Sequence, residues 1–270
     1  MIPDPRPPTP KVIDIHTHII PDLDDGPPYM QTSVGMGRVA AEEGIEAIIS
    51  TSHSEEASYL GLQAMQARLE AVREAWTAAG LSIRLEMGVE IFLRPDTPAA
   101  LKSGALWPLA GSRYVLVETP YQPWPTYADQ TLFNLQLAGY TPILAHPERY
   151  IPIQNDPSRM YALVERGVLA QVTAAALLGE HGPASRRCAE TLVRHNLAHF
   201  LASDAHGLTM RKRMPQLREA LRVAEGLVGE EAARALVQDN PANILANTPL
   251  EVSPERVSGK KWSLGSLFRS

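Results

Sequence analysis

Short apolar runs alternate along the chain with stretches whose apolar residues recur every three or four positions, which predicts strands and helices in turn. Strands are predicted near 12–15, 45–50, 82–91, 113–118, 141–145, 168–172 and 198–202, with helices between most of them. Runs such as Ile45-Glu46-Ala47-Ile48-Ile49 and Thr141-Pro142-Ile143-Leu144-Ala145 are largely apolar on both faces, as a parallel sheet covered by helices requires. Met65, Leu69, Val72 and Trp76 form one helical stripe and Leu217, Leu221, Ala224 and Val228 another, each predicting a side turned to the core. Residues 240–245 read as a closing helix, and the whole as a series of βα units.

The polar residues that end these runs carry the chemistry. They are Asp14-Ile15-His16-Thr17-His18, Ser52-His53, Gly88-Val89-Glu90, Val117-Glu118-Thr119, Ala145-His146-Pro147 and Ser203-Asp204-Ala205-His206; only the strand ending near Thr173 lacks a metal-binding residue. In a barrel of parallel strands the carboxyl ends converge on one mouth. An open doubly wound sheet collects residues from two or three strand ends and would not gather this set, so the pattern favours a barrel.

Alternation along a strand puts His16 and His18 on one side, within reach of one ion or two adjacent ions. Asp204-Ala205-His206 repeats that spacing on the last strand, which neighbours the first in a closed barrel. Glu90 and Glu118 each follow an apolar strand, where an unpaired carboxylate is costly and a cation, or failing that an arginine, is the natural partner. The candidate ligands are therefore His16, His18, His53, Glu90, Glu118, His146, Asp204 and His206, joined by one of Asp22, Asp24 or Asp25. That acidic loop is not an EF-hand, because its spacing is too short and Ser33 stands where the bidentate glutamate belongs. Mixed imidazole and carboxylate donors suit manganese, iron or zinc. Three divalent ions would outweigh the carboxylates in charge, favouring an anionic substrate and attack on a phosphoester by a metal-bridging hydroxide. Arg149 and Arg211, shortly beyond His146 and His206, are placed to hold phosphate oxygens, with a surface salt bridge the equal alternative for Arg211 within Arg211-Lys212-Arg213.

Composition narrows the setting. The chain has 270 residues, 44% hydrophobic and 20% charged, which fits one globular domain of α/β-barrel size. A net charge of −5 argues against nucleic acid as the main partner. One cysteine, no signal-peptide pattern and no apolar run long enough to span a bilayer predict a cytoplasmic protein. Residues 1–11 are expected to form a flexible proline-rich lead-in, 12–247 the barrel, and 248–270 a flexible tail. Trp262, Leu267 and Phe268, with nearby lysines, allow weak contact between that tail and a membrane surface or partner.

Taken in order, these motifs resemble the PHP (polymerase and histidinol phosphatase) superfamily. More closely, Ile13–Pro27, Ser50–His53, Gly88–Ile91, Val117-Glu118, Ala145–Tyr150 and Ser203–His206 are similar to its bacterial manganese-dependent protein tyrosine phosphatases of capsule and exopolysaccharide loci. The resemblance implies an α/β fold of distorted (β/α)7 barrel type and a trinuclear site, manganese foremost. Its ligands would be His16, His18, Asp25, His53, Glu90, Glu118, His146, Asp204 and His206, selecting Asp25 from the acidic loop, with phosphate-binding Arg149 and Arg211. It implies as substrate the phosphotyrosine tail of a tyrosine autokinase that controls polysaccharide export. Glu118 stands where many other PHP enzymes carry histidine. Thr173 stands where relatives often carry asparagine.

Two other functions fit the same residues: a small-molecule phosphomonoesterase such as a histidinol-phosphate phosphatase, and a non-catalytic metal-binding regulator of polysaccharide export. Cys188 and Arg194 match the C-x5-R spacing of cysteine-dependent phosphatases, but 184–195 lacks glycine and reads as a helix, so no phosphate loop is expected. His181, His195 and His199 fall outside the strand-end pattern and read as surface or helix-end residues. Tyr121, Trp124 and Tyr127, in a proline-rich loop after Glu118, either face a phosphotyrosine ring or stiffen the loop.

Overall fold

Every apolar run singled out above is a strand, and all paired strands are parallel, in the computed structural model, which describes residues 12–257. The strands are β1 (Val12–Thr17), β2 (Ile45–Ser50), β3 (Arg84–Met87), β4 (Glu90–Phe92), β5 (Tyr114–Glu118), β6 (Thr141–Ala145), β7 (Leu169–Thr173) and β8 (Phe200–Ala202). They form two arcs, β1-β2-β3 and β4-β5-β6-β7-β8. The one strand expected over 82–91 is divided at Gly88-Val89, where the chain stops pairing with β2 and begins pairing with β5. A Cβ on Gly88 would lie 2.6 Å from Leu109 Cδ2 and 3.1 Å from Ile49 Cγ2, so a larger residue would have to displace the packing at this corner. Counted as one kinked strand, β3 and β4 restore a sevenfold repeat.

Isolated bridges join the arcs at both seams, Thr17 to Ala205 and His53 to Glu90. At the first seam the Asp204 N–H donates to the His16 carbonyl at 2.9 Å and the His18 N–H to the Ala205 carbonyl at 2.7 Å. At the second the Glu90 N–H meets the Thr51 and Ser52 carbonyls at 3.3 and 3.2 Å. The first seam lies at the carboxyl end of β1 and just beyond that of β8, and the second between the carboxyl end of β2 and the start of β4, so the distorted barrel is drawn together where the polar motifs emerge.

Ile15, Ile49, Leu116, Ile143, Leu169 and Phe200 are buried together with Leu109, Tyr114 and Ile244, the last from the helix Asp239–Ala246. A larger apolar layer packs helices around the strands. Met65, Leu69, Val72 and Trp76 are all buried on the helix Leu62–Ala78, each contributing on the order of 1.5–3 kcal/mol by leaving water. Leu217, Leu221 and Ala224 are likewise buried, with Val228 packed at the margin.

The expected flexible tail began at 248, yet residues 248–257 are held to the barrel. Tyr114 Oη donates to the Thr248 carbonyl at 2.6 Å, Asn196 Nδ2 donates to the Ser253 carbonyl at 2.8 Å, and the Glu255 N–H donates to the His195 carbonyl at 2.8 Å. The lead-in and Trp262, Leu267 and Phe268 lie outside the described residues. Among the described residues no helix is long and apolar enough to cross a membrane.

Candidate metal centre

The barrel mouth is built from strand ends that lose their regular pairing as they reach it. The β1–β2 register shifts between Asp14 and Thr17, and in that irregular stretch His16 and His18 are fully buried with ring centroids 5.5 Å apart. Asp14 ties the stretch down, its Oδ1 accepting from the His16 N–H at 3.3 Å and the Ser203 N–H at 3.1 Å. His146 and Asp204 have positive φ, 35° and 54°. Non-glycine residues are held in this left-handed region at a cost on the order of 1–3 kcal/mol, and here both side chains lie at the common site.

Glu90 is its centre. Its Oε2 lies 3.2 Å from His16 Nε2, 3.4 Å from His18 Nε2 and 3.3 Å from His53 Nδ1, while Oε1 lies 3.0 Å from His146 Nε2. Asp204 Oδ1 is 3.3 Å from His16 Nε2, Glu118 Oε1 is 3.3 Å from His53 Nδ1, and Asp25 Oδ1 is 3.1 Å from His206 Nε2. His18 and His206 stack at 3.8 Å between centroids. All the ligands expected from the sequence therefore meet at one place. Three overlapping groups have donor atoms close enough to share an ion: His18, Asp25, His53 and His206; His16, His18 and Asp204; His53, Glu90 and Glu118.

The acidic loop divides its labour. Asp25 enters one of those groups, whereas Asp24 Oδ2 lies 2.8 Å from His18 Nδ1 and accepts from the His53 N–H at 3.2 Å. Asp24 Oδ1 also accepts from the Gly26 N–H at 2.9 Å. A Cβ on Gly26 would approach Asp24 Oδ1 to 2.8 Å and the His18 carbonyl to 3.0 Å, so this turn needs glycine. Behind His16, Gln171 Oε1 lies 2.8 Å from Nδ1. Each partner leaves the imidazole's other nitrogen turned to the cluster, the usual way a ligating histidine is oriented.

The cluster demands positive charge. Burial opposes a proton on His16, yet Glu90 and Asp204 overcome it and push the imidazole up to about 10. Burial is likewise outweighed at His18, by Asp24 and Glu90, which raise it to about 9, and at His53, by Asp25 and Glu118, which raise it to about 11. Burial works against the charge of Glu90 and Asp204 too, but His16 and its neighbours hold both below the ordinary carboxylate range. His16 Nε2 and His18 Nε2 are only 3.4 Å apart, so cations bound by their lone pairs would replace two closely facing N–H groups. Donor types thus fit divalent metal ions: eight of the nine side chains fall in groups able to share one, while His146, in none of the three, meets the cluster through Glu90.

Above the cluster opens a cavity of about 240 Å³ whose walls include Tyr121, Arg149, His181, Met210 and Arg213. Arg149 Nη1 donates to Asp204 Oδ2 at 3.1 Å. Arg211 is not brought here: its guanidinium faces Glu219 and Glu180, and Arg213 occupies the wall instead, with Nη2 donating to Asp25 Oδ2 at 2.8 Å. The run Arg211-Lys212-Arg213 offered no local signal to separate its arginines, because the choice follows from a short 3-10 turn over Arg211–Arg213.

Other residues differ from their expected setting. His181, expected at the surface, lines the cavity. His199 is buried, accepts the Ala170 N–H at 3.0 Å on Nδ1, and is depressed to about 4 by burial. Cys188 packs inside the helix Pro183–Arg194, its thiol pushed up to about 12 by burial, as the helix reading anticipated. Of the loop aromatics only Tyr121 reaches the cavity. Trp124 donates to Asp129 Oδ1 at 2.8 Å and Tyr127 Oη donates to the Leu93 carbonyl at 3.1 Å, so both stiffen the loop. Gln171 and Asp24 orient His16 and His18, a role without a signal in the sequence, where Asp24 is only one of three candidate loop ligands, because buried hydrogen-bond partners carry no motif.

A family model described as capsular polysaccharide synthesis, CpsB/CapC, matches residues 12–246. The tyrosine-protein phosphatase YwqE of Bacillus subtilis is 34% identical over 251 residues, covering 93% of this chain and 98% of that protein. The tyrosine-protein phosphatase CpsB of Streptococcus pneumoniae is 28% identical over 240 residues, covering 87% and 98%. A crystal structure from work on YwqE and CpsB, described there as metal-dependent tyrosine phosphatases, superposes with a TM-score of 0.86 at 34% identity, covering 92% of this chain and all of that one. The phosphotriesterase homology protein of Escherichia coli shares the fold alone, with a TM-score of 0.55 at 10% identity, covering 89% of this chain and all of that one.

Proposed function

The chain belongs to the capsular polysaccharide synthesis family CpsB/CapC, and from that premise we propose that it is a metal-dependent protein tyrosine phosphatase. In this reading His16, His18, Asp25, His53, Glu90, Glu118, His146, Asp204 and His206 hold three divalent ions, manganese foremost. The chain acts in the cytoplasm, and its substrate is a phosphotyrosine on the tail of a tyrosine autokinase in polysaccharide export. The observation that carries it is Glu90, buried and within 3.4 Å of His16, His18, His53 and His146 at the floor of an open cavity.

Bound divalent cations would supply Lewis-acid chemistry, activating water and neutralising phosphoryl charge. The chain's own residues do the rest. Asp24 and Gln171 fix the orientation of His18 and His16, and the apolar interior beneath keeps the floor dry. Arg149 reaches over Asp204, where its guanidinium can take phosphoryl oxygens as their negative charge grows. Arg213, paired with Asp25 on the cavity wall, is the second cation available to the substrate. Among the described residues that line the cavity there is no cysteine or serine, and in this reading water is the nucleophile, bonding to phosphorus as the bond to the tyrosine phenolate oxygen breaks, with inorganic phosphate and tyrosine as products.

The test is hydrolysis of a phosphotyrosine peptide and of histidinol phosphate by protein loaded with manganese, iron or zinc in turn. Preference for the peptide, with loss of at least about 100-fold in His146→Ala and Asp204→Ala at unchanged circular dichroism, is expected when metal-activating ligands are removed. Preference for histidinol phosphate would replace the substrate assignment, and full turnover in metal-stripped protein would overturn the mechanism.

A further inference from the structure

The cavity is almost wholly ionic, with Tyr121 as its aromatic wall. The Arg149 guanidinium carbon lies 4.7 Å from the Tyr121 ring centroid. Tyr121 is anchored in turn: the Ile151 N–H donates to its carbonyl at 3.1 Å, and its ring meets His146 edge-on at 6.0 Å and tilts against Tyr150 at 5.8 Å. Tyr150 Oη is itself bound by the Thr119 N–H at 3.1 Å. The loops after β5 and β6 are therefore lashed together so that Tyr121 and Arg149 share one frame.

Among the described residues Asp204 is the one hydrogen-bond acceptor that the Arg149 guanidinium meets. Asp204 also faces His16 and stands in a group able to hold an ion, so its charge is shared and cannot alone fix the arginine. A ring face attracts a guanidinium through its quadrupole and leaves the N–H donors available. We propose that Tyr121 is the positioning residue of Arg149: its ring is a neutral shelf that keeps the guanidinium beside Asp204 at the histidine and carboxylate cluster, with donors free for a phosphoryl group. The inference rests on the phosphatase reading above and adds that recognition of the phosphoryl group depends on a residue that does not bind it. Tyr121 acts on any phosphomonoester alike, since its target is the arginine and not the ester's organic part.

The experiment compares wild type, Tyr121→Phe, Tyr121→Leu, Arg149→Ala and the Tyr121→Leu/Arg149→Ala double variant, all manganese-loaded with equal metal content. Binding of inorganic phosphate is measured by calorimetry, and KM and kcat with p-nitrophenyl phosphate and an alkyl phosphomonoester. Tyr121→Leu is expected to weaken phosphate binding about tenfold and to raise KM alike for both esters, with Tyr121→Phe near wild type because it keeps the ring face. In the Arg149→Ala background Tyr121→Leu should add less than about twofold, the non-additivity of residues acting as one unit. A loss confined to the aryl ester would make Tyr121 an aryl contact instead, and an undiminished effect without Arg149, or no effect at all, would equally overturn the proposal. Phosphate binding reads the inference even in a protein that hydrolyses neither ester, an outcome that would defeat only the phosphatase reading.

Discussion

Gln171 Oε1 sits 2.8 Å from His16 Nδ1, joining the middle of β7 to the end of β1 inside the barrel. Ala145 and Phe200, its register partners on β6 and β8, flank it, so the amide is the polar group through which this wall touches the cluster. Gln171→Leu should weaken divalent-ion binding on the order of 10- to 100-fold, as loss of a ligand-orienting partner does. Excess manganese should restore turnover. Unchanged affinity in a metal titration followed by calorimetry would show that His16 needs no such partner.

The three arginines near the mouth separate by geometry. Arg149→Ala should lower kcat/KM by about 10- to 100-fold, the worth of a charge-assisted hydrogen bond. Arg213→Ala should lose less, because its guanidinium is held by two hydrogen bonds to Asp25, at the carbonyl and at Oδ2, against one from Arg149 to Asp204. Arg211→Ala, paired on the exterior with Glu180 and Glu219, should stay within about threefold of wild type, as exposed ion pairs are weak. A loss at Arg211 equal to that at Arg149 would mean the loop rearranges when substrate enters.

Metal loading should expel protons. In the metal-free chain His16, His18 and His53 sit near 10, 9 and 11, all protonated at pH 8, whereas ligation needs neutral imidazoles. Apparent metal affinity should therefore rise as pH rises toward those values. Calorimetric titration at pH 8 in buffers of different ionisation enthalpy should report net proton release, and a buffer-independent enthalpy would contradict it.

His199 contributes a separate pH dependence to stability. Its folded value is depressed to about 4 against an ordinary 6.5, so between these pH values the unfolded chain binds the proton and the folded one does not. Stability falls as pH drops through that window, by about 3 kcal/mol in total for this group. Urea midpoints of His199→Gln and wild type should therefore converge between pH 6.5 and 4. Parallel curves would deny the buried neutral state.

Cys188 lies in a buried helix face with a thiol pushed up to about 12. Cys188→Ala should keep full phosphatase activity and cost about 1 kcal/mol of stability through lost packing. An inactive but folded variant would revive a thiol mechanism.

The strand positions, the helical stripes and eight of the residues that meet at the mouth were legible in the chain itself, because burial imposes a period on apolar residues and imidazoles and carboxylates punctuate the strand ends, whereas Asp25 is told from Asp22 and Asp24 only by the family resemblance. Glu90 and His146 could be paired only as members of a set, since 56 positions separate them. Tertiary structure decided what has no local signature. The split of 82–91 at Gly88 reflects close approach of Ile49 and Leu109. Arg213 rather than Arg211 on the cavity wall, Asp24 behind His18, Gln171 behind His16 and the Arg149–Tyr121 contact all depend on where separate loops meet. Those choices arise from contacts between segments distant in sequence, and a periodic pattern specifies which face a residue takes without naming the partner it will find there.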